Sequence, residues 1–153
     1  MPEAVARLAT GHESCPGCTV LLVDDDDVAL EGVQRSFRKH DVPCRTVTAA
    51  NGQEALDILR GRHAQKRLET PVIVLLDINM PGMDGFQVLD RMRADTELGG
   101  TVVFILSTSR REQDLARAYA GHVAGYMVKS SLGPQYARLA DFIRKYAHTQ
   151  QLA

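Results

Sequence analysis

Short apolar runs alternate with amphipathic stretches along this chain. The runs are rich in β-branched and other apolar residues and are bounded by turn residues, a pattern typical of β-strands. They are TVLLV (19–23), CRTVTAA (44–50), PVIVLL (71–76), TVVFIL (101–106) and GYMV (125–128). The pattern predicts five strands, each followed by a helix.

Helix starts are marked by polar residues between the runs. Three positions carry a capping residue followed three residues later by Glu or Gln, the arrangement called the capping box. They are Asn51 with Glu54, Asp84 with Gln87, and Ser109 with Glu112. The last helix is predicted to begin at residues 133–134, because proline fits the first turn of a helix.

Alternating strands and helices predict an α/β fold with a parallel sheet and helices on both faces, because parallel strands need crossover connections. The run VIVLL has no polar alternation, as expected for a strand that is buried on both sides. The sequence therefore predicts a doubly wound sheet of five parallel strands.

Composition narrows the class of protein. The chain has 153 residues, of which 44% are hydrophobic and 24% charged, with a net charge of −1. These values are typical of one globular domain and give no global signal for nucleic-acid or membrane binding.

No run is long enough to span a bilayer, and the N-terminus lacks a secretory signal, so we expect a cytoplasmic protein. The expected domain covers residues 19–148, with a flexible extension (1–18) and a C-terminal tail (149–153).

The three cysteines carry a weak signal. Cys15 and Cys18 form CPGC in the N-terminal extension, and Cys44 lies in an apolar stretch. A zinc site would need further ligands, and no other ligand spacing accompanies this pair. We therefore predict a mobile, reduced CPGC segment and a small core residue at Cys44.

Polar residues follow the predicted strands at their carboxyl ends, which meet at one edge of a parallel sheet and form its ligand-binding crevice. These residues are Asp24 and Asp25 after the first strand, Asp77 after the third, Ser107 and Thr108 after the fourth, and Lys129 after the fifth. Asp26, Asp27 and Asp84 are instead interpreted as acids at helix N-termini.

This set of side chains fits phosphoryl chemistry. Clustered carboxylates raise one another's pKa unless a cation relieves the repulsion, and a hard divalent ion such as Mg²⁺ suits oxygen ligands. The Lys129 ammonium and the Ser107 hydroxyl fit the charge of a transferring phosphoryl group. A carboxylate at such a place can be the nucleophile, and Asp77 lies between the two sets of groups.

Four segments, LLVDDDD, LLDINMPGMDG, FILSTS and GYMVKS, occur in an order that resembles the receiver domain of two-component response regulators. The resemblance covers residues 19 to 148 and implies a flavodoxin-like sheet with strand order 2-1-3-4-5. It implies phosphorylation of Asp77 and a metal site that includes the backbone carbonyl of Asn79. The other roles that it implies are metal binding by Asp24, Asp25 and Asp77, phosphoryl binding by Ser107 and Lys129, and switching by Ser107 and Tyr126.

The resemblance also implies partners. A histidine kinase would donate the phosphoryl group, and the chain would signal by conformational change to a downstream protein or phosphotransfer partner, without enzymatic activity beyond its own phosphorylation and dephosphorylation. A looser similarity to the phytochrome-associated single-domain regulators implies a photoreceptor kinase. Tyr136, Phe142 and Tyr146 could contribute to a homodimer face, or they could be core; Tyr126 could likewise be an ordinary half-buried tyrosine.

One departure from the family pattern leaves alternatives open. Ser130 follows Lys129 where the family usually has proline after a cis bond. We therefore expect either a trans bond that moves the Lys129 ammonium or a strained bond. A pseudo-receiver, which binds partners without phosphotransfer, is one alternative. A phosphatase of the haloacid-dehalogenase type is another, because DDDDV fits its D-x-D-x-V motif, although the order of the later residues does not.

Overall fold

The structure, a computed structural model, describes residues 18–152, with side chains through residue 148. The strands are β1 (Cys18–Val23), β2 (Cys44–Ala49), β3 (Val72–Leu76), β4 (Val102–Ser107) and β5 (Gly125–Val128). The α-helices are α1 (Asp27–Lys39), α2 (Gly52–Leu59), α3 (Gly85–Ala94), α4 (Glu112–Ala120) and α5 (Ala137–Leu152). Over these residues the predicted alternation of five strands and five helices is confirmed.

All five strands pair in parallel, in the order β2-β1-β3-β4-β5. The last residue of β1, Val23, is opposite Ala49 of β2 and Leu76 of β3. The backbone N–H groups of Asp24 and Asp77 extend this ladder, because they donate to the carbonyls of Ala49 and Val23 at 3.1 and 2.9 Å. The carboxyl ends of the central strands therefore lie side by side, and the predicted flavodoxin-like sheet is confirmed.

The core is divided by the sheet into two apolar clusters. Alternate residues of β1 supply both, with Leu21 in one cluster and Val20 in the other. The first cluster buries α2 and α3, and the second buries α1 and α5. Because the central strands β1, β3 and β4 are covered on both faces, their residues are apolar at successive positions.

Two of the predicted helix caps are confirmed. Asn51 caps α2, where its side chain accepts a hydrogen bond from the Glu54 N–H at 2.8 Å. Asp84 caps α3 in a complete capping box with Gln87, with both reciprocal hydrogen bonds at 2.9 Å. The interpretation of Asp84 as a helix cap is therefore confirmed.

The predicted cap of α4 at Ser109 is wrong. The N-cap residue is Arg111, which makes no side-chain cap bond. The Ser109 hydroxyl donates to Asp114 at 2.5 Å and accepts from the Arg111 N–H at 3.2 Å. The serine therefore organises the loop before the helix, and α4 begins two residues later than a cap at Ser109 would place it.

The predicted start of the last helix at residues 133–134 is also wrong. Gln135 and Tyr136 have φ values of 56° and 59°, in the left-handed region, so the α-helix begins only at Ala137. The Tyr136 ring lies against Gly32 of α1, where a Cβ atom would come within 3.0 Å of it. Tyr136 therefore packs on α1 and does not continue the apolar face of α5.

Cys18 and Cys44 form a disulfide, which corrects two predictions. Cys18 is the first residue of β1 and is directly opposite Cys44, the first residue of β2, with their Cα atoms 4.6 Å apart. Cys18 is therefore not a reduced residue of a mobile segment, and Cys44 is not simply core filling. The sequence separation of 26 residues concealed a contact that only the pairing of β1 with β2 creates. Cys15, the other cysteine of CPGC, lies outside the described residues.

The long connection between α2 and β3 is held by Glu54 of α2 and by the Thr48 carbonyl of β2. His63 Nε2 and Lys66 Nζ lie 3.1 and 3.2 Å from its carboxylate, and Lys66 also donates to the Thr48 carbonyl at 2.7 Å. Burial would raise the pKa of Glu54, but a hydrogen bond from the Ala50 N–H, together with Lys66 and His63, lowers that pKa below its ordinary value. The carboxylate is thus held in its charged form.

Candidate metal and phosphoryl site

Three aspartates meet at the carboxyl ends of β1 and β3. Asp24, Asp25 and Asp77 each place a carboxylate oxygen within 4.8 Å of the others. Asp24 and Asp77 are buried, whereas Asp25 is exposed. The residues are brought together because β1 and β3 are neighbours in the sheet and end in register.

The donor set fits a hard divalent cation. The three side chains supply only oxygen atoms, which Mg²⁺, Ca²⁺ and Mn²⁺ prefer. Asn79, the source of the predicted backbone ligand, lies in the loop after β3, and its N–H donates to Asp77 Oδ1 at 3.2 Å. Without a cation the carboxylates repel one another, so divalent metal binding would relieve an unfavourable charge arrangement.

Lys129, the residue directly after β5, completes the site. Its ammonium lies 2.7 Å from Asp24 Oδ2 and 3.8 Å from Asp77 Oδ2. Burial would lower the pKa of Lys129, but the hydrogen bond to Asp24 and the charges of Asp77 and Asp24 outweigh burial and raise that pKa. Lys129 is therefore charged at neutral pH and faces two buried acids.

The serine after Lys129 does not displace it. The cis peptide bond of the described residues is Thr70–Pro71, so the bond between Lys129 and Ser130 is trans. The ammonium nevertheless reaches both acids. Of the two expected alternatives, the structure has the trans bond, and the expected movement of the Lys129 ammonium away from the acids is not found.

The environment of Asp77 makes its carboxyl group easier to protonate than an exposed carboxyl group. Burial raises the pKa of Asp77 to about 6, with a further rise from Asp24 and Asp25, while Lys129 and the Asn79 N–H oppose the shift. A raised pKa means that the folded protein binds more protons than the unfolded chain between pH 3.8 and about 6. The contribution of Asp77 to the free energy of unfolding therefore falls as the pH rises through this range.

Asp77→Asn is expected to be more stable than the wild-type protein at pH 7 in the presence of a chelator. Because asparagine is uncharged, the free energy of unfolding should rise by about 1 to 2 kcal/mol after allowance for solvent screening. The difference should shrink as the pH falls from about 6 toward 4, because the wild-type carboxyl becomes protonated first in the folded state and then in the unfolded chain. Thermal unfolding from pH 4 to pH 8 measures it, and a difference independent of pH would contradict the raised pKa.

Ser107 is fully buried at the end of β4. Its hydroxyl oxygen accepts from the Ser109 N–H at 3.2 Å, and the Asn79 amide nitrogen lies 3.5 Å away. Thr108, the next residue, is exposed. The hydroxyl is therefore held between the loop that follows β3 and the loop that follows β4.

Tyr126 is half-buried on β5 and packs against the first core cluster. Its hydroxyl donates to the Ser109 carbonyl at 3.0 Å. The phenol is therefore satisfied, as in an ordinary half-buried tyrosine, and it also contacts the loop that follows Ser107. Its role as a switch stays a prediction.

Asp26 and Asp27 are helix acids, as predicted. The Asp26 side chain caps α1 by accepting from the Val28 N–H at 3.0 Å, and Asp27 is in the first turn. The Asp26 N–H in turn donates to Asp24 Oδ1 at 2.9 Å. The D-x-D motif of the phosphatase alternative would use the Asp26 carboxylate in the reaction, whereas here it caps a helix.

One contact near the site has no signal in the sequence. The Arg110 guanidinium donates to Ser130 Oγ at 2.8 Å, and both residues are exposed. The hydrogen bond joins the loop after Ser107 to the turn that carries Lys129. Two residues 20 positions apart in different loops share no periodicity or motif, so only the structure reveals this pair.

The fold and the site together define a class of protein. The chain combines a parallel sheet in the order 2-1-3-4-5 with three acids, a buried hydroxyl and a lysine at the carboxyl ends of its strands. Its fold is that of receiver domains. The chain belongs to the response regulator receiver domain family, whose family model matches residues 20–150.

Several known proteins resemble this chain over most of its length. The response regulator Rcp1 of Synechocystis sp. is 30% identical over 118 residues, which cover 77% of this chain and 80% of Rcp1. The Mn²⁺-bound structure of Rcp1 has a TM-score of 0.72 at 25% identity and covers 84% of this chain and 93% of its own. The phosphorylated cyanobacterial phytochrome response regulator RcpA has a TM-score of 0.68 at 29% identity, covering 84% and 90%.

Membership in the family fixes the general function. The chain is a signalling domain of a two-component system, in which receiver domains interact with histidine kinases and downstream targets. Within the described residues, no helix is both long enough and apolar enough to cross a membrane.

Proposed function

We propose that this chain is a single-domain response regulator that accepts a phosphoryl group from a histidine kinase on Asp77, with Mg²⁺ as its cofactor. The observation that carries the proposal is the position of the Asp77 carboxylate, which is buried beside Asp24 and Asp25 and 3.8 Å from the Lys129 ammonium. A nucleophile, a set of oxygen ligands and a fixed positive charge are the parts that phosphoryl transfer requires.

The residues divide the work of the transfer. The Asp77 carboxylate attacks the phosphorus atom, and the bond from phosphorus to the histidine nitrogen of the kinase breaks. Asp24, Asp25, Asp77 and the Asn79 backbone carbonyl would hold Mg²⁺, which would neutralise the charge on the phosphoryl oxygens. Lys129 places a second positive charge beside the same oxygens, and this arrangement also serves hydrolysis of the aspartyl phosphate.

The phosphoryl group would change the balance between two conformations. Ser107 would turn its hydroxyl toward the phosphoryl oxygens and so break its contact with the Ser109 N–H. Tyr126 contacts the carbonyl of the same Ser109, so a movement of this loop would reach the surface of β5 and α4. The phosphoryl group would thus act by favouring one of two conformations that the domain already samples.

Acetyl phosphate with Mg²⁺ is expected to add one phosphoryl group to the wild-type protein. The intact mass, measured by mass spectrometry, should rise by one phosphoryl group, and neither Asp77→Asn nor a sample with chelator should gain it. No gain in the wild-type protein, with Mg²⁺ binding still detected by titration, would favour the pseudo-receiver. Phosphate on Asp77→Asn would contradict the assignment of the phosphoacceptor.

The proposed partner is a phytochrome-type photoreceptor kinase in the cytoplasm, with a downstream protein or phosphotransfer domain as the recipient of the signal. The similarity to Rcp1 and to the phytochrome response regulator RcpA supports this partner.

A homodimer face on α5 is supported by Phe142, which is 41% exposed and stacks beside Tyr146.

A phytochrome-type kinase from the same cell is expected to transfer phosphate to Asp77 faster than an unrelated histidine kinase does. Radiolabelled phosphotransfer under matched kinase concentrations measures both rates, and acetyl phosphate labelling shows that the receiver is competent. Transfer from the unrelated kinase alone would contradict the photoreceptor partner and leave the phosphoacceptor assignment intact.

A further inference from the structure

The disulfide of Cys18 and Cys44 lies at the end of the sheet opposite the acids. Each cysteine is the first residue of its strand, and the two are partners in the parallel register of β1 and β2. Their Cα separation of 4.6 Å falls within the range of about 4.4 to 6.8 Å that protein disulfides span. Neighbouring strands lie about 4.8 Å apart in any sheet, so the backbone keeps the two sulfurs close whether or not they are bonded.

The two cysteines are accessible to small molecules. Both cysteines are half-buried and pack against the second core cluster, the one that covers α1 and α5. β2 is an edge strand, so the pair lies at the margin of the sheet. Fully buried cysteines are chemically inert, whereas partly exposed ones react with small thiols and disulfides.

The bond encloses the part of the chain that builds the acidic site. Between Cys18 and Cys44 lie the rest of β1, the loop with Asp24 and Asp25, and the whole of α1. A cross-link across this segment lowers the entropy of the unfolded chain, so closing the bond stabilises the folded domain. Opening the bond would remove this cross-link, while the pairing of β1 with β2 and the acids at the other end of these strands stay in place.

We propose that Cys18 and Cys44 form a reversible thiol–disulfide site, which responds to small-molecule thiols and disulfides independently of phosphorylation. One cysteine thiolate attacks a small disulfide such as oxidised glutathione, forms a mixed disulfide and releases one glutathione thiolate. The other cysteine thiolate then attacks the protein sulfur and expels the second glutathione. The two cysteines lose two protons and two electrons, and oxidised glutathione becomes two reduced molecules.

The test is a redox titration of the full chain. Samples equilibrated with different ratios of reduced and oxidised glutathione are alkylated, and the intact mass gives the number of free thiols. We expect the wild-type count to change from three in reductant to one in oxidant, and the Cys15→Ser count to change from two to none. The melting temperature should be about 5 to 10 °C higher in the oxidised form. Cys44→Ser should lose this difference.

Several results would overturn the proposal. A wild-type thiol count that stays constant at every glutathione ratio would exclude a reversible site, and this measurement needs no variant that must fold. Loss of the transition in Cys15→Ser would show that Cys15 is a required partner instead. Acetyl phosphate labelling of both forms serves as the functional control, and a reduced form that no longer accepts phosphate would contradict independence from Asp77.

Discussion

Lys129→Met is expected to slow the phosphorylation of Asp77 by acetyl phosphate by about 100-fold, the typical effect of removing one preorganised charge or donor from a transition state. The substitution keeps an unbranched apolar chain one atom shorter than lysine and removes the ammonium that lies 3.8 Å from Asp77 Oδ2. The charge of Lys129 also lowers the pKa of Asp77, so its loss should raise that pKa above about 6. More of the carboxyl would then be protonated at neutral pH, and a protonated carboxyl is a poor nucleophile.

Single-turnover labelling from pH 6 to pH 9, followed by intact mass, separates the two effects. The part of the rate loss that comes from protonation of Asp77 should recover as the pH rises. The part that comes from the missing positive charge in the transition state should persist at every pH. Lys145→Met is a matched control, because it removes the same charge from an exposed ion pair with Asp141 and should label at the wild-type rate. A Lys129→Met rate within a factor of three of the control would contradict the proposed role.

Gly85→Ala is expected to lower the free energy of unfolding by about 3 to 5 kcal/mol, at the upper end of single-substitution effects. A Cβ atom at Gly85 would lie 2.3 Å from the Asp77 carbonyl oxygen and 2.6 Å from the Ile78 Cα. Both neighbours are backbone atoms, so no side chain can rotate away. The loop that carries Asp77 would have to move, and labelling by acetyl phosphate should fall with it.

Urea unfolding measures the loss, and Gly100→Ala is the control for the change of glycine to alanine. No atom lies within 4 Å of a Cβ atom at Gly100, and its φ is outside the left-handed region, so the control should change stability by less than about 0.5 kcal/mol. A Gly85→Ala variant that unfolds at the wild-type urea concentration would show that the loop has more freedom than its contacts imply.

Local signals predicted most of the fold. The apolar runs predicted the central strands β1, β3 and β4, because strands covered on both faces need apolar residues at successive positions. The capping residues Asn51 and Asp84 were identified because a helix start leaves N–H groups that a nearby side chain can satisfy. The candidate site residues were found together because parallel strands end at one edge, so a residue just past each strand is near the others.

Contacts between distant segments could not be predicted in this way. Ser109 has the right spacing for a cap, yet the competing hydrogen bond to Asp114 holds it in the loop before α4. Gln135 and Tyr136 follow a proline that fits a helix start, yet packing of the Tyr136 ring on Gly32 accompanies a left-handed turn. In both places a tertiary or loop contact outweighs local preference.

Arg93 makes further contacts between distant segments that the sequence does not predict. Its guanidinium donates to the carbonyls of Gly99, Thr101, Gly121 and His122, at 2.8 to 3.0 Å. The side chain thereby joins the end of α3 to the turn before β4 and the turn before β5. An arginine near the end of a helix usually faces solvent, and nothing in the sequence distinguishes this one.

The sequence by itself determined the parallel α/β sheet, the receiver resemblance and the set of acids, hydroxyl and lysine, because these depend on the order and spacing of residue types. Only the tertiary structure decided that the Lys129 ammonium reaches Asp24 and Asp77 across a trans bond, and that Cys18 meets Cys44. The reason is physical. Periodicity and capping act over a few residues, whereas the distance between two side chains on different strands is set by the register and packing of the whole sheet.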